Sequence, residues 1–204
     1  MRYLSSVCNI VVLGAFFETA LSIVPMVLAE KKRSGLVWIS AVILVPLAIV
    51  LCVRQFSSLT RTMPGLKRQL LLSLSFNRST ILKGLIYIVP VVLLEVSARL
   101  FFGDQYRNPT LSQVWNYMII APFVEEFFFR FLFPKLVSDD QCTEKDYVVF
   151  SVIFACLHRL PGFVPIFIFS LYEYFLVEKT GSLSLAIAYH AISNFLCFAF
   201  SSAA

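Results

Sequence analysis

The chain is dominated by long apolar runs separated only by short polar breaks. Crossing the hydrocarbon core of a bilayer takes a helix of about 20 mainly apolar residues, since backbone groups in lipid must pair within the segment. We predict an all-α, polytopic transmembrane helix bundle of about seven spans, which fills residues 1–204 as a single integral membrane domain. The predicted spans are residues 5–29, 35–53, 85–102, 111–134, 147–160, 163–177 and 183–201.

The composition excludes an ordinary soluble protein. Hydrophobic residues make up 59% of the chain and charged residues 14%, and the mean hydropathy is +0.82. Soluble domains are about 45–50% apolar and about 25% charged. Glu18 interrupts the first apolar run, which favours a retained span over a cleaved signal peptide. The five cysteines are odd in number and mostly lie in apolar runs, as expected of buried thiols rather than of disulfides or a zinc cluster.

The net charge of +5 comes largely from Lys and Arg in the polar breaks, where membrane topology and anionic headgroups place them. We therefore expect membrane lipid, and no nucleic acid, as a partner. The charge bias favours a cytoplasmic N-terminus, although the basic residues 31–33 favour the opposite orientation. The pattern leaves open whether the membrane is a bacterial inner membrane or the endoplasmic reticulum, and it leaves the oligomeric state unknown.

Within the most polar stretch, residues 54–83, Lys67 and Arg68 are interposed among Leu66, Leu70, Leu71 and Leu74. This pattern is typical of an interfacial amphipathic helix, and an ordinary basic loop is the alternative. In the next predicted span, Glu95 and Arg99 are four residues apart. We interpret them as a structural ion pair, because residues at that spacing share a helix face.

Two adjacent carboxylates lie in the middle of the fourth predicted span, inside an aromatic run. Glu126 and Arg130 are four residues apart and can pair on one helix face. Glu125 points about 100° away from Glu126 and has no basic residue one turn away in the sequence. A buried carboxylate of this kind suits a general base or acid, and two glutamates that merely bridge helices by hydrogen bonds are the alternative.

The two histidines of the chain, His158 and His190, both occupy apolar helix positions. Phe154 precedes His158 by one turn, and Asn194 follows His190 by one turn, so each pair shares a face. A lone histidine on an apolar face is usually a satisfied core residue. Two histidines, an asparagine and Glu125 on three separate spans instead favour convergence around a polar cavity within the membrane, because their joint desolvation would otherwise be costly.

These motifs, in this order and on separate spans, resemble those of the CPBP family, which comprises type II CAAX prenyl endopeptidases and bacteriocin-processing or immunity proteins and is also called the Abi family. The resemblance covers about residues 111–202, and the segment 180–183 (Thr-Gly-Ser-Leu) is similar to the lead into the final motif of bacterial members. The motif residues are Glu125, Glu126 and Arg130, then Phe154 and His158, then His190 and Asn194.

The resemblance implies an intramembrane endopeptidase that hydrolyses a peptide bond in a membrane-associated protein or peptide, by CAAX-type C-terminal processing or by leader or bacteriocin processing. Carried over by position, Glu125 would activate the attacking water with help from His158. His190 and Asn194 would face the developing oxyanion. The remaining motif residues would be supporting ones: Arg130 would pair with Glu126 and hold the helix geometry, and Phe154 would shape the pocket beside His158.

Cofactor use and catalysis itself remain open at this point. Glu125, His158 and His190 could form a zinc site with an open water position. The compact His-Glu-x-x-His helix is absent from the sequence, and Asn194 suits an oxyanion donor, so a glutamate mechanism without a metal is favoured. The alternatives are a non-catalytic scaffold or immunity protein whose polar cavity binds a partner, and a transporter or channel with the polar groups along an ion path.

Overall fold

The structure is a computed structural model. It describes residues 65–75, 77–102, 116–137, 142–158 and 163–201, together with the individual residues 50, 54, 57, 61 and 114. Almost all of these residues are helical and none lies in a strand, which confirms the all-α class for this part of the chain. The predicted span 5–29 and nearly all of span 35–53 lie outside the described residues.

Six helices cover the described part of the chain, and the third is interrupted by two wider π-helical turns, Asn116–Ile120 and Phe127–Leu132. The helices are α1 (Leu66–Ser73), α2 (Arg78–Phe102), α3 (residues 116–137), α4 (Glu144–Leu157), α5 (Phe163–Thr180) and α6 (Leu183–Ser201). Helix α6 has the predicted bounds, whereas α5 continues three residues past its predicted end, from 177 to 180. The polar segment at 66–73 is a helix and not an irregular loop.

Helix α2 begins at Arg78, earlier than predicted, because Asn77 caps it. The Asn77 side-chain oxygen accepts hydrogen bonds from the Thr80 backbone N–H at 2.8 Å and from the Thr80 hydroxyl at 3.0 Å. This is the usual way in which asparagine satisfies the first amides of a helix, and it outweighs the polarity of the first helical turn.

Apolar side chains point outward from the long helices while charged side chains are buried. On α2, Ile86, Leu94 and Leu100 are each more than 60% exposed, whereas Glu126 and Glu173 are fully buried. This reverses the pattern of soluble proteins and is typical of helices in lipid. Two described segments, Arg78–Leu100 and Leu183–Phe200, are long and apolar enough to cross a membrane. The total of about seven spans stays a prediction.

The turn between α5 and α6 is built from Thr180, Gly181 and Ser182. Gly181 has a φ of +66°, a left-handed conformation that glycine adopts without a steric penalty, and its N–H donates to the Val177 carbonyl at 2.7 Å. The Ser182 hydroxyl oxygen accepts from the Leu185 backbone N–H at 3.3 Å and caps α6. The turn ends α5 and starts α6 within two residues.

Helix α4 begins with a capping box formed by Thr143 and Asp146. The Asp146 carboxylate accepts hydrogen bonds from the Thr143 backbone N–H at 2.7 Å and from its hydroxyl at 2.8 Å. These two bonds hold the pKa of Asp146 below its ordinary value. Helix α4 ends at Leu157, and His158 follows in an extended conformation. The prediction that His158 occupies a helix position was therefore wrong by one residue. Pro161 and Gly162 follow shortly after it in the sequence, and such residues commonly end a helix.

The described residues divide into two compact units. The first takes its residues from Met1–Leu71 and Phe131–Leu171, and the second from Leu72–Arg130 and Tyr172–Ala204. The prediction of one membrane domain over the whole chain stays a prediction.

The core of the first unit is aromatic. Phe133 and Phe150 are almost fully buried, and their rings meet edge to face with centroids 4.6 Å apart. Phe154 lies one turn beyond Phe150 on α4 and is also buried. The apolar face of α4 is thereby held by large aromatic side chains up to the turn that precedes His158.

In the second unit α6 packs against α2 and against the first half of α3. At Gly84 the helices α2 and α6 approach so closely that a Cβ would lie 2.7 Å from Leu185 Cδ2. Further along α2, the predicted ion pair is present, with Arg99 Nη2 2.7 Å from Glu95 Oε1. The Ser193 hydroxyl of α6 donates to the same Glu95 oxygen at 2.6 Å. This contact fixes the rotation of α6 and hence the direction of His190, one turn earlier.

Candidate active site

The candidate site is built on the irregular middle of α3. A regular α-helical segment, Ala121–Glu126, lies between the two π-helical turns and carries Pro122, Glu125 and Glu126 as buried residues. Wider π-helical turns inside α-helices recur at functional sites, because they redirect neighbouring side chains. The two π-helical turns of α3 lie on either side of the α-helical segment that carries the paired glutamates.

Arg130 is held between two buried carboxylates. Its Nε lies 3.2 Å from Glu126 Oε2, so the ion pair predicted from the sequence spacing is present. Its Nη2 forms a second ion pair with Glu173 Oε2 on α5. The guanidinium carbon also lies 4.9 Å from the centre of the Tyr174 ring, within cation–π range. Arg130 is thus immobilised by contacts from two helices.

The imidazole of His190 lies among three carboxylates. Its Nδ1 is 2.8 Å from Glu126 Oε1 and 3.4 Å from Glu173 Oε1. Its Nε2 is 3.7 Å from Glu125 Oε2, which is beyond direct hydrogen-bond length. The imidazole is 5% and Glu125 7% exposed, so the cluster is nearly closed to solvent. The two ring nitrogens therefore have different surroundings, with Glu126 and Glu173 beside Nδ1 and Glu125 beside Nε2.

The backbone of α3 is tied to α5 and α6 by two side-chain hydrogen bonds. The Tyr174 hydroxyl donates to the Phe129 carbonyl at 2.7 Å. The Asn194 amide donates to the Tyr117 carbonyl, also at 2.7 Å, in the first π-helical turn. An asparagine amide has a second hydrogen, and Asn194 lies one turn beyond His190 on α6. Asn194 can therefore support the backbone with one N–H and offer the other to a ligand.

Phe154 and His158 belong to the first unit. The His158 ring lies beside the Phe154 ring, with centroids 4.4 Å apart, as the spacing predicted. His158 Nδ1 lies 2.8 Å from the Phe154 carbonyl oxygen. Because a carbonyl oxygen only accepts, this contact places a hydrogen on Nδ1 and makes Nε2 the acceptor of the neutral ring. His158 is thus arranged to accept a hydrogen bond from a water or a substrate.

A metal would have to compete with Arg130 for its ligands. Among the described residues, Glu126, Glu173 and His190 offer ligand atoms within 4.8 Å of one another. Both of these carboxylates already contact the Arg130 guanidinium. A second cation beside a buried guanidinium would be repelled at close range. The donor set therefore suits the arginine, and it differs from the zinc set of Glu125, His158 and His190 considered from sequence.

Part of the chain matches a family of known proteins. Residues 107–196, a little under half of the chain, match the family described as Rce1-like, type II CAAX prenyl endopeptidase Rce1-like. Over this segment the chain is similar to the Rce1-like family. The match agrees with the resemblance to the CPBP proteins, and the Rce1-like segment contains all seven motif residues. No curated protein and no solved structure matches the chain.

The similarity to the Rce1-like family supports a broad class for the protein. The family consists of membrane-embedded proteases, so the predicted hydrolase and membrane character are confirmed. A non-catalytic scaffold is not favoured.

Glu173, one residue of the cluster, was not predicted from the sequence as a site residue. It lies in an apolar helix without a basic residue one turn away, and it belongs to none of the three motifs. The available signal was the presence of a carboxylate near the middle of a predicted span, since ionisable residues at that depth are rare and usually functional.

Proposed function

We propose that this protein is an intramembrane endopeptidase of the CAAX type, which cleaves a peptide bond near the C-terminus of a prenylated, membrane-associated substrate. The single observation that carries the proposal is the position of Glu125. It is buried on α3, and its Oε2 lies 3.7 Å from Nε2 of His190. An atom of a substrate can therefore contact both groups at once, which is the geometry required of a base and a nearby oxyanion donor.

In the proposed reaction Glu125 takes a proton from a water molecule, and the resulting hydroxide attacks the carbonyl carbon of the scissile bond. The motif resemblance assigns His158 a supporting role in this step. Negative charge then develops on the carbonyl oxygen, and N–H groups of Asn194 and of His190 stabilise it; for His190 this requires a hydrogen on Nε2 as well as on Nδ1, which Glu126 holds. Glu125 returns its proton to the amine nitrogen as the C–N bond breaks. The proton that Glu125 takes from water is returned to the leaving amine, so the reaction needs no proton or electron from outside the site.

The proposal uses no metal ion. The charge on the intermediate is met by side-chain donors, and Arg130 already neutralises part of the negative charge of Glu126 and Glu173. Unlike Glu126 and Glu173, Glu125 is placed next to the reacting atoms in the proposed reaction. A base in this position works from its carboxylate form.

The test is cleavage of a farnesylated CAAX peptide by the purified protein in lipid nanodiscs. Glu125→Gln preserves the shape of the side chain and removes its basicity, so we expect at least a 100-fold loss of activity at unchanged folded yield. The matched control is Glu178→Gln, which alters an exposed carboxylate near the end of α5. Full activity of Glu125→Gln would refute the proposal. Equal cleavage of the same peptide without its prenyl group would refute the CAAX-type substrate and favour leader processing.

A further inference from the structure

We infer that Glu173 is a positioning residue of the site, which holds the Arg130 guanidinium and the His190 ring in their working orientations. The inference rests on the proposed function for its catalytic meaning. Its structural part, the coupling of Glu173 to the other two residues, stands on the contacts alone.

Glu173 has no contact with solvent, and its carboxylate faces two other groups of the site. One oxygen, Oε2, forms the ion pair with Arg130, and the other, Oε1, lies 3.4 Å from His190 Nδ1. A fully buried carboxylate carries a desolvation cost of several kcal/mol, so a fold that only needed packing at this position would place an apolar residue there. The contacts with Arg130 and His190 offset this desolvation cost.

The contacts with Glu173 and Glu126 restrain the imidazole from one side. Glu126 Oε1 lies 2.8 Å from His190 Nδ1, and Glu173 Oε1 approaches the same nitrogen from α5. Rotation of the ring about its Cβ–Cγ bond would withdraw Nδ1 from both oxygens. With Nδ1 held, Nε2 must face Glu125, on the side where substrate is expected. A neighbouring carboxylate that orients a catalytic histidine is a recurrent device in hydrolases.

Arg130 links the same two carboxylates. It contacts Glu126 in its own helix and Glu173 in α5, so the loss of Glu173 would remove its ion pair with α5. The Tyr174 ring, adjacent in sequence to Glu173, also lies against the guanidinium. Helix α5 thus supplies two consecutive residues to Arg130, and Glu173 is the one that also reaches the histidine.

The decisive experiment compares Glu173→Gln with wild type, with cleavage of the farnesylated peptide measured per folded molecule. Gln has the same size but no negative charge. Misplacement of a catalytic group by about 1 Å can cost about 100-fold in rate, so we expect kcat to fall by about 10- to 100-fold while KM stays the same. A purely structural role would lower the folded yield and leave kcat per folded molecule unchanged. That result would overturn the inference.

Two further variants keep the test decisive. Glu173→Asp retains the charge but withdraws it by one methylene, so it covers the case in which Glu173→Gln fails to fold, and its kcat should also fall. Wild-type kcat in this variant would overturn the inference. Glu178→Gln, on the exposed end of the same helix, should behave as wild type in both kcat and folded yield.

A readout without substrate separates this inference from the proposed function. Glu173→Gln and His190→Gln are combined in a double-mutant cycle of thermal melting in detergent, and coupled residues should shift Tm non-additively. Additive shifts overturn the inference even if the wild type cleaves the peptide. A wild type that cleaves neither the farnesylated nor the unmodified peptide refutes the proposed function, and non-additive melting then still supports the placement of Glu173.

Discussion

His190 Nε2 and Glu125 Oε2 lie 3.7 Å apart, although the two residues are 65 positions apart in the sequence. The separation is too long for a direct hydrogen bond, yet both atoms can contact one atom placed between them. The opposite ring nitrogen of His190 is held by Glu126, the neighbour of Glu125 in the sequence. Adjacent glutamates therefore have different surroundings, one anchoring the imidazole and one facing its reactive side.

Removal of the His190 side-chain donor should abolish most of the activity. We expect His190→Ala to lower kcat by about 100- to 1,000-fold, which is the usual cost of losing one oxyanion donor. The measurement is single-turnover cleavage of the farnesylated peptide, with the folded fraction determined by size-exclusion chromatography. A loss confined to KM would show that His190 binds substrate without stabilising the oxyanion.

Activity should survive treatment with a strong metal chelator. Glu126 and Glu173 already contact the Arg130 guanidinium, so the site has its cation. We expect the rate in chelator to equal the rate in untreated protein, and we expect added zinc to give no increase. Chelator inactivation that zinc reverses would establish a metalloprotease instead.

Arg130 should be required for folding as well as for activity. Arg130→Ala leaves two buried carboxylates without their shared partner, and breaking such a buried pair typically costs about 3–5 kcal/mol. We expect a large loss of folded yield and a lower Tm in detergent, and Lys135→Ala serves as the control in the same helix. Neutralising the two partners as well, with Glu126→Gln and Glu173→Gln, should recover part of the lost stability. A normal Tm for Arg130→Ala would contradict the pairing.

The capping box of α4 should make thermal stability depend on pH. The Thr143 N–H and hydroxyl lower the pKa of Asp146 in the folded state, so the carboxylate stabilises the fold above its unfolded pKa of about 3.9. This contribution is lost as the pH falls through the lower, folded pKa. Asp146→Asn should lower Tm at pH 7, and the difference from wild type should disappear in strong acid.

Glu144→Gln is the matched control for the capping box. It removes an acidic residue from the same first turn without touching the Thr143 and Asp146 hydrogen bonds. Its effect on Tm at pH 7 should be smaller than that of Asp146→Asn. An equal effect would attribute the stability to charge near the helix start rather than to the capping bonds.

Contacts within one helix were predictable from the sequence. The pairs Glu126–Arg130 and Phe154–His158 are present because helical geometry alone brings residues four apart together. The predicted end of this span at residue 160 lies three residues past the end of α4 at Leu157, because hydrophobicity alone gives no boundary signal there. Glu173 was overlooked, because its partners Arg130 and His190 lie on other helices and no spacing rule connects them.

The sequence by itself predicted an all-helical membrane protein and indicated Glu125 and His190 as candidates for its chemistry, since apolar run length and the scarcity of charge depend on composition and order alone. Only the tertiary structure decided which oxygen faces which nitrogen. Helix rotation set by contacts such as Ser193 with Glu95 turns His190 towards the glutamates, and helix packing brings Glu173 to the cluster. Those orientations result from side-chain packing between distant segments, which a linear pattern does not encode.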